Sequence, residues 1–187
     1  TNKWSSIGLS NVPVASGDFG TTVHNKINSS ETVLASDFNS IYAKAVVETG
    51  SSLSGYRVVG LFGATTTCGA WMFGIKNGQI LFGTQCNTNS DSASSTGITL
   101  STNTQYTLEW YYDKVSQKVQ CWVDNAIQIN TTANYVMADG YITIGSGNHT
   151  SSSEAFGGTI SDLKLFGNVT REQANTTSTV NLTLNYL

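Results

Sequence analysis

Charge is scarce in this sequence, because Lys, Arg, Asp and Glu make up only 11% of its 187 residues, against about 25% in an average domain. The basic residues do not cluster, which argues against nucleic-acid binding, since that needs a basic footprint. No apolar run approaches the roughly 20 residues of a membrane span, so we expect no membrane insertion. Ser, Thr, Asn and Gly replace the missing charge. This composition favours a secreted or extracellular protein, at a cell or virion surface.

The chain starts at Thr1 and carries no signal peptide, which favours a mature protein or an excised domain. Its length suits a two-layer core, and no linker or internal repeat divides it. We therefore expect a single domain over residues 1–187, with other modules of a larger chain among its candidate partners.

The sequence has three cysteines, and an odd number argues against a simple disulfide framework. Cys68 and Cys86 flank a predicted hairpin, and a bond between them is left open. Cys121 lies on the apolar side of a strand and is predicted to be a buried, inert thiol.

Most of the chain alternates between apolar and polar residues with a period of two and is interrupted by Gly, Asn, Asp and Ser, which predicts β-strands. The ten predicted strands are Phe38–Val47, Tyr56–Phe62, Gly69–Lys76, Gln79–Gln85, Gln105–Asp113, Lys118–Asp124, Ala126–Asn130, Tyr141–Gly145, Gly158–Phe166 and Val180–Tyr186. Two polar runs, Asn87–Thr96 and Ser146–Ala155, are predicted to be long loops. The fold class predicted is all-β, a two-sheet antiparallel sandwich.

At most one short helix is expected, around Thr170–Ala174. Thr170 is placed to cap it, with Gln173 three residues later as in a capping box.

Three segments resemble one family when taken in order: YTLEWYYDKVSQKVQCWVDN (106–125), YITIGSG (141–147) and FGGTISDLKLFGNVTREQA (156–174). They are similar to the central hairpin, the following strand and the closing strand with its terminal helix in laminin-G-like and pentraxin-like domains. This resemblance implies a concanavalin A-like jelly roll, and the lectin domains of sialidases are one possible set of relatives. It covers the C-terminal half of the chain and hardly extends into residues 1–37.

Side chains alternate between the two faces of a strand, so the hairpin 106–125 can be divided into an inner and an outer set. If Tyr112 pairs with Val119, the two strands share one consistent apolar layer. The outer set is then Tyr111 beside Gln120 and Glu109 beside Trp122.

Aromatic rings flanked by amides and carboxylates are the side chains that bind sugars, and the resemblance implies a concave outer sheet face that often carries ligands. One hypothesis is therefore a ligand platform made of Tyr111, Trp122, Glu109 and Gln120. The alternative is a second small core, in which another segment covers the two aromatic rings.

Two further residues are candidate ligand contacts because they open a strand. Tyr56 and Arg57 would suit a ligand with a carboxylate, since arginine recognises carboxylates well; an ordinary solvated arginine is the alternative. On the hairpin through Asn77-Gly78, Gly74 and Gly83 either leave room for a ligand or relieve crowding between strands.

The sequence has no pattern typical of a catalytic site. Retaining glucanases of this general fold need two closely spaced glutamates, and no two glutamates here stand within five residues. The two histidines lack the spacing of a zinc site. We therefore expect no enzyme activity and no catalytic residue.

Calcium is the one cofactor that stays possible, because the resemblance implies that such domains often bind it on loops. The segment Asn87–Asp91, Asp139 and Asp162 could supply oxygen ligands. No metal site is assigned.

The function predicted first is a non-catalytic carbohydrate-binding, lectin-like domain of a secreted or surface protein, whose partner is a glycan or glycoprotein. The alternatives are a receptor-binding or decoration domain of a virus or phage particle, a structural interaction domain without a sugar site, and a hydrolase with an unrecognised acid pair.

Overall fold

The computed structural model describes residues 9–10, 18–19, 27–29, 32, 34–64, 69–85, 91–94, 97–145 and 154–176. Within these residues the regular secondary structure is almost entirely β-strand, with one short α-helix near the C-terminal end. All strand pairs are antiparallel and form two sheets. The prediction of an antiparallel β-sandwich with at most one short helix is confirmed.

The strands are β1 (Leu9–Ser10), β2 (Asp18–Phe19), β3 (Ile27–Ser29), β4 (Ser40–Glu48), β5 (Tyr56–Ala64), β6 (Gly69–Lys76), β7 (Gln79–Gln85), β8 (Asp91–Ser94), β9 (Gln105–Asp113), β10 (Lys118–Val123), β11 (Ala126–Thr132), β12 (Tyr141–Ile144) and β13 (Gly158–Gly167). Helix α1 spans Arg171–Thr176, and a 3-10 turn spans Ala35–Asp37.

The seven-stranded sheet has the order β1-β3-β12-β5-β6-β7-β8, and the six-stranded sheet has the order β11-β10-β9-β4-β13-β2. Strands distant in sequence are therefore neighbours, as where β4 lies between β9 and β13. Long connections between the layers of this kind are typical of jelly rolls.

The core between the sheets is rich in aromatic residues, because the inward positions of both central hairpins carry them. On the hairpin β6–β7, Phe73 pairs with Phe82 across the turn at Asn77-Gly78, where both turn residues have positive φ, as a type I′ turn requires. From the opposite sheet, the ring of Tyr112 stacks on Phe82 with centroids 5.2 Å apart. Phe73 and Phe82 therefore lie on the core side of this hairpin.

The capping box predicted for α1 is present. Thr170 Oγ1 accepts a hydrogen bond from the Gln173 backbone N–H at 3.2 Å, and Gln173 Oε1 accepts one from the Thr170 N–H at 2.8 Å. Two of the N–H groups that a helix start leaves unpaired are thereby satisfied.

One sequence prediction is corrected, and another concerns residues that the structure does not describe. The polar run Asn87–Thr96 is not loop throughout, because β8 lies within it and pairs with the edge of β7; small polar side chains weaken strand propensity, but pairing overrides it. The predicted strand Val180–Tyr186 lies outside the described residues. Strands β1 to β3 were not predicted.

Cys121 is buried on the core side of β10, and burial raises the pKa of its thiol well above the ordinary value. The prediction of a buried, inert thiol is confirmed. Cys68 and Cys86 lie outside the described residues.

Candidate functional site

The predicted register of the hairpin β9–β10 is confirmed: Tyr112 pairs with Val119, and Glu109 pairs with Trp122. Together with the pairing of β9 to β4 and of β4 to β13, this register aligns side chains in rows across the outer face of the six-stranded sheet, the face turned away from the core. The charged row is Lys164, Lys44, Glu109, Trp122 and Ile127. The aromatic row is Phe166, Tyr42, Tyr111, Gln120 and Asn130.

Helix α1 lies over the aromatic row and over Glu109 and Trp122 of the charged row. Tyr111 and Trp122 are only 8% and 7% exposed and form a cluster with Tyr42, Phe166 and Ala174 of the helix. Of the two interpretations of this face, the burial corresponds to the covered minor core and not to an open ligand platform. The physical reason is the segment after β13, which turns back over the sheet and brings the apolar side of α1 onto the rings.

Glu109 is completely buried beneath this cover, and its carboxylate is held by three side chains. Its Oε2 accepts a hydrogen bond from the Tyr42 hydroxyl at 2.6 Å and one from Arg171 Nε at 2.7 Å, while Oε1 accepts one from Arg171 Nη2 at 3.0 Å. Lys44 Nζ lies 3.7 Å from Oε1. The two-pronged contact with Arg171 is the strongest geometry that a carboxylate and a guanidinium can make.

Arg171 is the residue that attaches α1 to the sheet. Its guanidinium lies 4.5 Å from the centre of the Trp122 ring, in a cation–π contact, and its Nη2 also donates to Asn125 Oδ1 at 3.3 Å. The sequence prediction did not include Arg171 in the site. Its spacing of three residues from the buried Ala174 places both on one side of the helix, and that signal could have indicated an inward-facing arginine.

The pKa directions follow from this arrangement. Burial acts to raise the pKa of Glu109, but the hydrogen bonds from Arg171 and Tyr42 and the charge of Lys44 outweigh it and hold that pKa below its ordinary value. Burial, assisted by the bond to Glu109, raises the pKa of the Tyr42 hydroxyl. Glu109 is therefore an ionised, permanently paired carboxylate at neutral pH.

Part of the outer face is left open beside α1. We call this part the shelf and define it by five residues of β4, β9 and β13: Lys44, Val46, Thr107, Ser161 and Lys164. Ser161, Val46 and Thr107 lie side by side in one row, next to the charged row. Ser161 is exposed and the other four are partly exposed, so solvent reaches an aliphatic floor rimmed by hydroxyl and ammonium groups.

Tyr56 and Arg57 are not brought to this face, because β5 belongs to the seven-stranded sheet. Arg57 donates from Nε to the Ser52 carbonyl at 3.1 Å, which ties it to its own loop. The ammonium of Lys76 lies 4.6 Å from the centre of the Tyr56 ring. Both residues are partly exposed, and their contact with a ligand stays a prediction.

Gly74 relieves crowding between strands. A Cβ atom on this residue would lie 2.3 Å from the backbone carbonyl oxygen of Arg57 on β5, which leaves no space for a side chain or a ligand. Of the two interpretations of Gly74, the contact corresponds to relief of crowding between strands and not to room for a ligand.

The residues named for calcium do not converge in the described part of the chain. Asp139 Oδ1 accepts a hydrogen bond from the Ala35 backbone N–H at 2.8 Å, and Asp162 pairs with Lys164 at 3.3 Å. Among the described residues, no group of three or more His, Cys, Asp and Glu side chains could hold a metal ion. Residues 87–90 of the predicted calcium loop lie outside these residues, so calcium binding there stays a prediction.

Within the described residues, no helix is both long and apolar enough to cross a membrane.

Comparison with known proteins gives no match to any family model and no match in sequence to any curated protein. Solved structures do match. A heptameric SAP-like pentraxin from Limulus polyphemus is 14% identical with a TM-score of 0.55, over 91% of this chain and 78% of the pentraxin. Mouse laminin alpha1 domains LG4-5 are 15% identical with a TM-score of 0.57, over 86% of this chain and 45% of that one.

A third match is the CBM40 module of the Ruminococcus gnavus IT-sialidase bound to alpha2,3 sialyllactose, 11% identical with a TM-score of 0.59, over 73% of this chain and 80% of the module. Identities this low establish the fold alone. The chain has the concanavalin A-like jelly-roll fold that the sequence resemblance implied.

Proposed function

We propose that this chain is a non-catalytic glycan-binding domain, spanning residues 1–187, of a secreted or surface protein. The partner would be a free glycan or the glycan of a glycoprotein. A solved domain of the same fold, the Ruminococcus gnavus module, was obtained with sialyllactose bound. At 11% identity that likeness supports a class of function and leaves the ligand and its position to be argued from this chain's own residues.

The shelf is the observation that carries the proposal. It offers a half-buried aliphatic side chain, Val46, between the hydroxyl-bearing Thr107 and Ser161. Sugars present apolar C–H groups and hydroxyls together, and a binding site for them combines apolar surface with a few fixed polar groups. The ammonium groups of Lys44 and Lys164 supply further donors at the rim.

The proposal differs from the sequence hypothesis in where the ligand lies. Tyr111, Trp122 and Glu109 lie beneath α1, so the ligand would lie on the shelf beside the helix and not on these residues. Gln120 stays partly exposed at the edge of α1, and its contact with a ligand stays a prediction. A shallow polar site of this kind binds weakly, so multivalent presentation would raise avidity by about 10²- to 10⁴-fold.

The absence of catalysis is also part of the proposal. In the charged row the side chains on either side of Glu109 are Lys44 and Trp122, so the adjacent strands offer it no second carboxylate there. Glycoside hydrolysis by the common mechanisms needs two carboxyl groups flanking the scissile bond. Because Glu109 is buried and bound by Arg171, it is placed to stabilise the fold.

The test is a glycan array probed with the tetramerised chain, with calcium and with a chelator. We expect binding to one group of glycans that falls at least about tenfold in Thr107→Gln and Ser161→Gln, since each fills the shelf and removes a hydroxyl. The matched control is Thr132→Gln, an exposed residue at the edge of the same sheet. Absence of glycan binding in both buffers, or equal binding by the shelf variants, would contradict the proposal.

A further inference from the structure

Lys44 and Lys164 stand directly opposite each other on β4 and β13. Opposed residues of an antiparallel pair have Cα atoms about 4.5–5.5 Å apart, and like charges in that position repel each other. The side chains are 28% and 31% exposed, so both are partly accessible from the shelf. This chain has only nine Lys and Arg residues, which makes two of them in one opposed pair a notable concentration.

A β-bulge produces this opposition. Between Ser161, which pairs with Val46, and Lys164, which pairs with Lys44, the register of β13 shifts. Asp162 within the bulge has φ of 46°, a left-handed conformation that costs a non-glycine residue roughly 1–2 kcal/mol. Without the extra residue, the alternation of β13 would turn Lys164 towards the core. Bulges often re-aim a side chain next to a binding site.

The carboxylates nearby do not neutralise the pair. Glu109 already accepts two hydrogen bonds from Arg171, so Lys44, at 3.7 Å, is the second cation on one carboxylate. Asp162 faces Lys164 at 3.3 Å but is 57% exposed, and an exposed pair of this kind contributes little. Of the carboxylates that interact with Lys44, Lys164 or Arg171, Glu109 is already bound by Arg171, Asp162 is exposed, and Glu172 lies on α1 next to Arg171.

Two other carboxylates lie farther from the lysines. Asp124 accepts a hydrogen bond from the Thr107 backbone N–H at 2.8 Å, on the side of β9 away from Lys44. Glu48 follows Lys44 by four residues along β4, about 13 Å away, which exceeds the screening length of about 8 Å at physiological salt.

From this arrangement we propose that Lys44 and Lys164 together bind the anionic group of an acidic saccharide whose ring lies over Val46, Thr107 and Ser161. The inference rests on the proposed glycan-binding function and names the class of ligand. Two lysines suit the role because each ammonium has three rotatable donors on a flexible stem. The hydroxyl-bearing row lies two residues along the strands from the lysines, about 6.6 Å, which is roughly the reach of one sugar ring.

The experiment compares three immobilised ligands: a neutral oligosaccharide, the same oligosaccharide with a carboxylated terminal sugar, and the same with a sulfate. The intact chain is compared with Lys44→Gln, Lys164→Gln and the double variant. Lys118→Gln is the control, because it removes the same charge from an exposed residue on the outer side of β10. Thermal unfolding of each variant verifies that it is folded.

We expect the intact chain to prefer an acidic ligand over the neutral one by at least tenfold, with binding that weakens as salt is raised. Each single shelf variant should lose about tenfold in affinity for the acidic ligand, the double variant more, and Lys118→Gln little. Whichever acidic ligand binds more tightly shows whether the two lysines prefer a carboxylate or a sulfate. Equal binding of neutral and acidic ligands, or an unaffected double variant, would overturn this inference and leave glycan binding standing, whereas no binding to any glycan would overturn both.

Discussion

Replacing Arg171 with methionine tests whether a buried ion pair attaches α1 to the six-stranded sheet. Methionine keeps an unbranched side chain of similar reach over Trp122 but removes both hydrogen bonds to Glu109, at 2.7 and 3.0 Å. Breaking a buried pair from one side costs about 3–5 kcal/mol. Arg171 is 24% exposed, and Lys44 stays at 3.7 Å from the carboxylate. We therefore expect the lower end, a loss of about 3 kcal/mol in the free energy of unfolding near neutral pH.

The pH dependence of that loss identifies its cause. In the folded chain the pKa of Glu109 is below its ordinary value, so its pairing contributes stability above the unfolded pKa of about 4.3 and loses that contribution as the pH falls through the folded pKa. In Arg171→Met the guanidinium is gone, so we expect the pKa of Glu109 to be higher than in the intact chain. The variant protonates Glu109 more readily, so the difference in stability should narrow as the medium becomes acidic.

The assay is equilibrium urea unfolding, followed by tryptophan fluorescence at neutral and acidic pH. Adding Glu109→Gln to Arg171→Met should recover part of the stability at neutral pH, because the unpaired charge is removed. Lys164→Met is the comparison, since it breaks an exposed pair with Asp162 and should cost at most about 1 kcal/mol. A loss for Arg171→Met as small as this, or one that does not change with pH, would refute the buried-pair interpretation.

Two further predictions concern the seven-stranded sheet and the core. Trp71 Nε1 donates to the Tyr135 carbonyl at 3.1 Å, whereas Trp110 Nε1 is buried with no hydrogen-bond partner in the described structure. The Tyr112 hydroxyl also donates to the Tyr135 carbonyl, so Trp71→Phe should destabilise the chain by about 0.5–1.5 kcal/mol more than Trp110→Phe in urea unfolding. Equal costs would contradict the difference in bonding. Gly74→Ala should lower the melting temperature measured by calorimetry, since its Cβ would lie 2.3 Å from the Arg57 carbonyl oxygen. An unchanged melting temperature would show that β5 and β6 leave more space between them than this distance indicates.

The strand register could be predicted from sequence because it depends on local alternation. Along β9 the residues Leu108, Trp110 and Tyr112 recur every second position, and only one alignment with β10 places them all against apolar partners. A shift of one residue would turn each of them to the opposite face. This constraint also predicted the burial of Cys121.

The covering of the outer face by helix α1 could not be predicted in the same way. Alternation shows that Tyr111 and Trp122 share a face, but an aromatic pair looks the same in sequence whether solvent or a helix covers it. Helix α1, which covers these rings, starts 49 residues beyond Trp122 and is only six residues long. The position of Glu109 between such rings indicated a cover, since a carboxylate buried there needs a cationic partner. Arg171 was a candidate partner, because the chain has only two arginines.

Lys164 escaped sequence analysis because the bulge at Asp162 interrupts the alternation of β13. A strict period of two from Ile160 puts Lys164 on the core side, where an ammonium group cannot remain unpaired. Polar residues at inward positions are thus a signal for a bulge. Recognising the bulge from the sequence would have placed Lys164 on the outer face, and the shelf would then have been a candidate site.

Attachment of α1 and the charge of the shelf are coupled through Glu109. While Arg171 satisfies that carboxylate, the ammonium of Lys44 is a surplus cation that an anionic ligand can use. In Arg171→Met, Lys44 becomes the only cation beside a buried carboxylate, and the two should draw together. The variant should then bind an acidic saccharide more weakly than the intact chain although residue 171 lies outside the shelf, and Glu109→Gln added to it should restore binding. If binding is unchanged in a folded Arg171→Met variant, Lys44 does not depend on α1 for its availability.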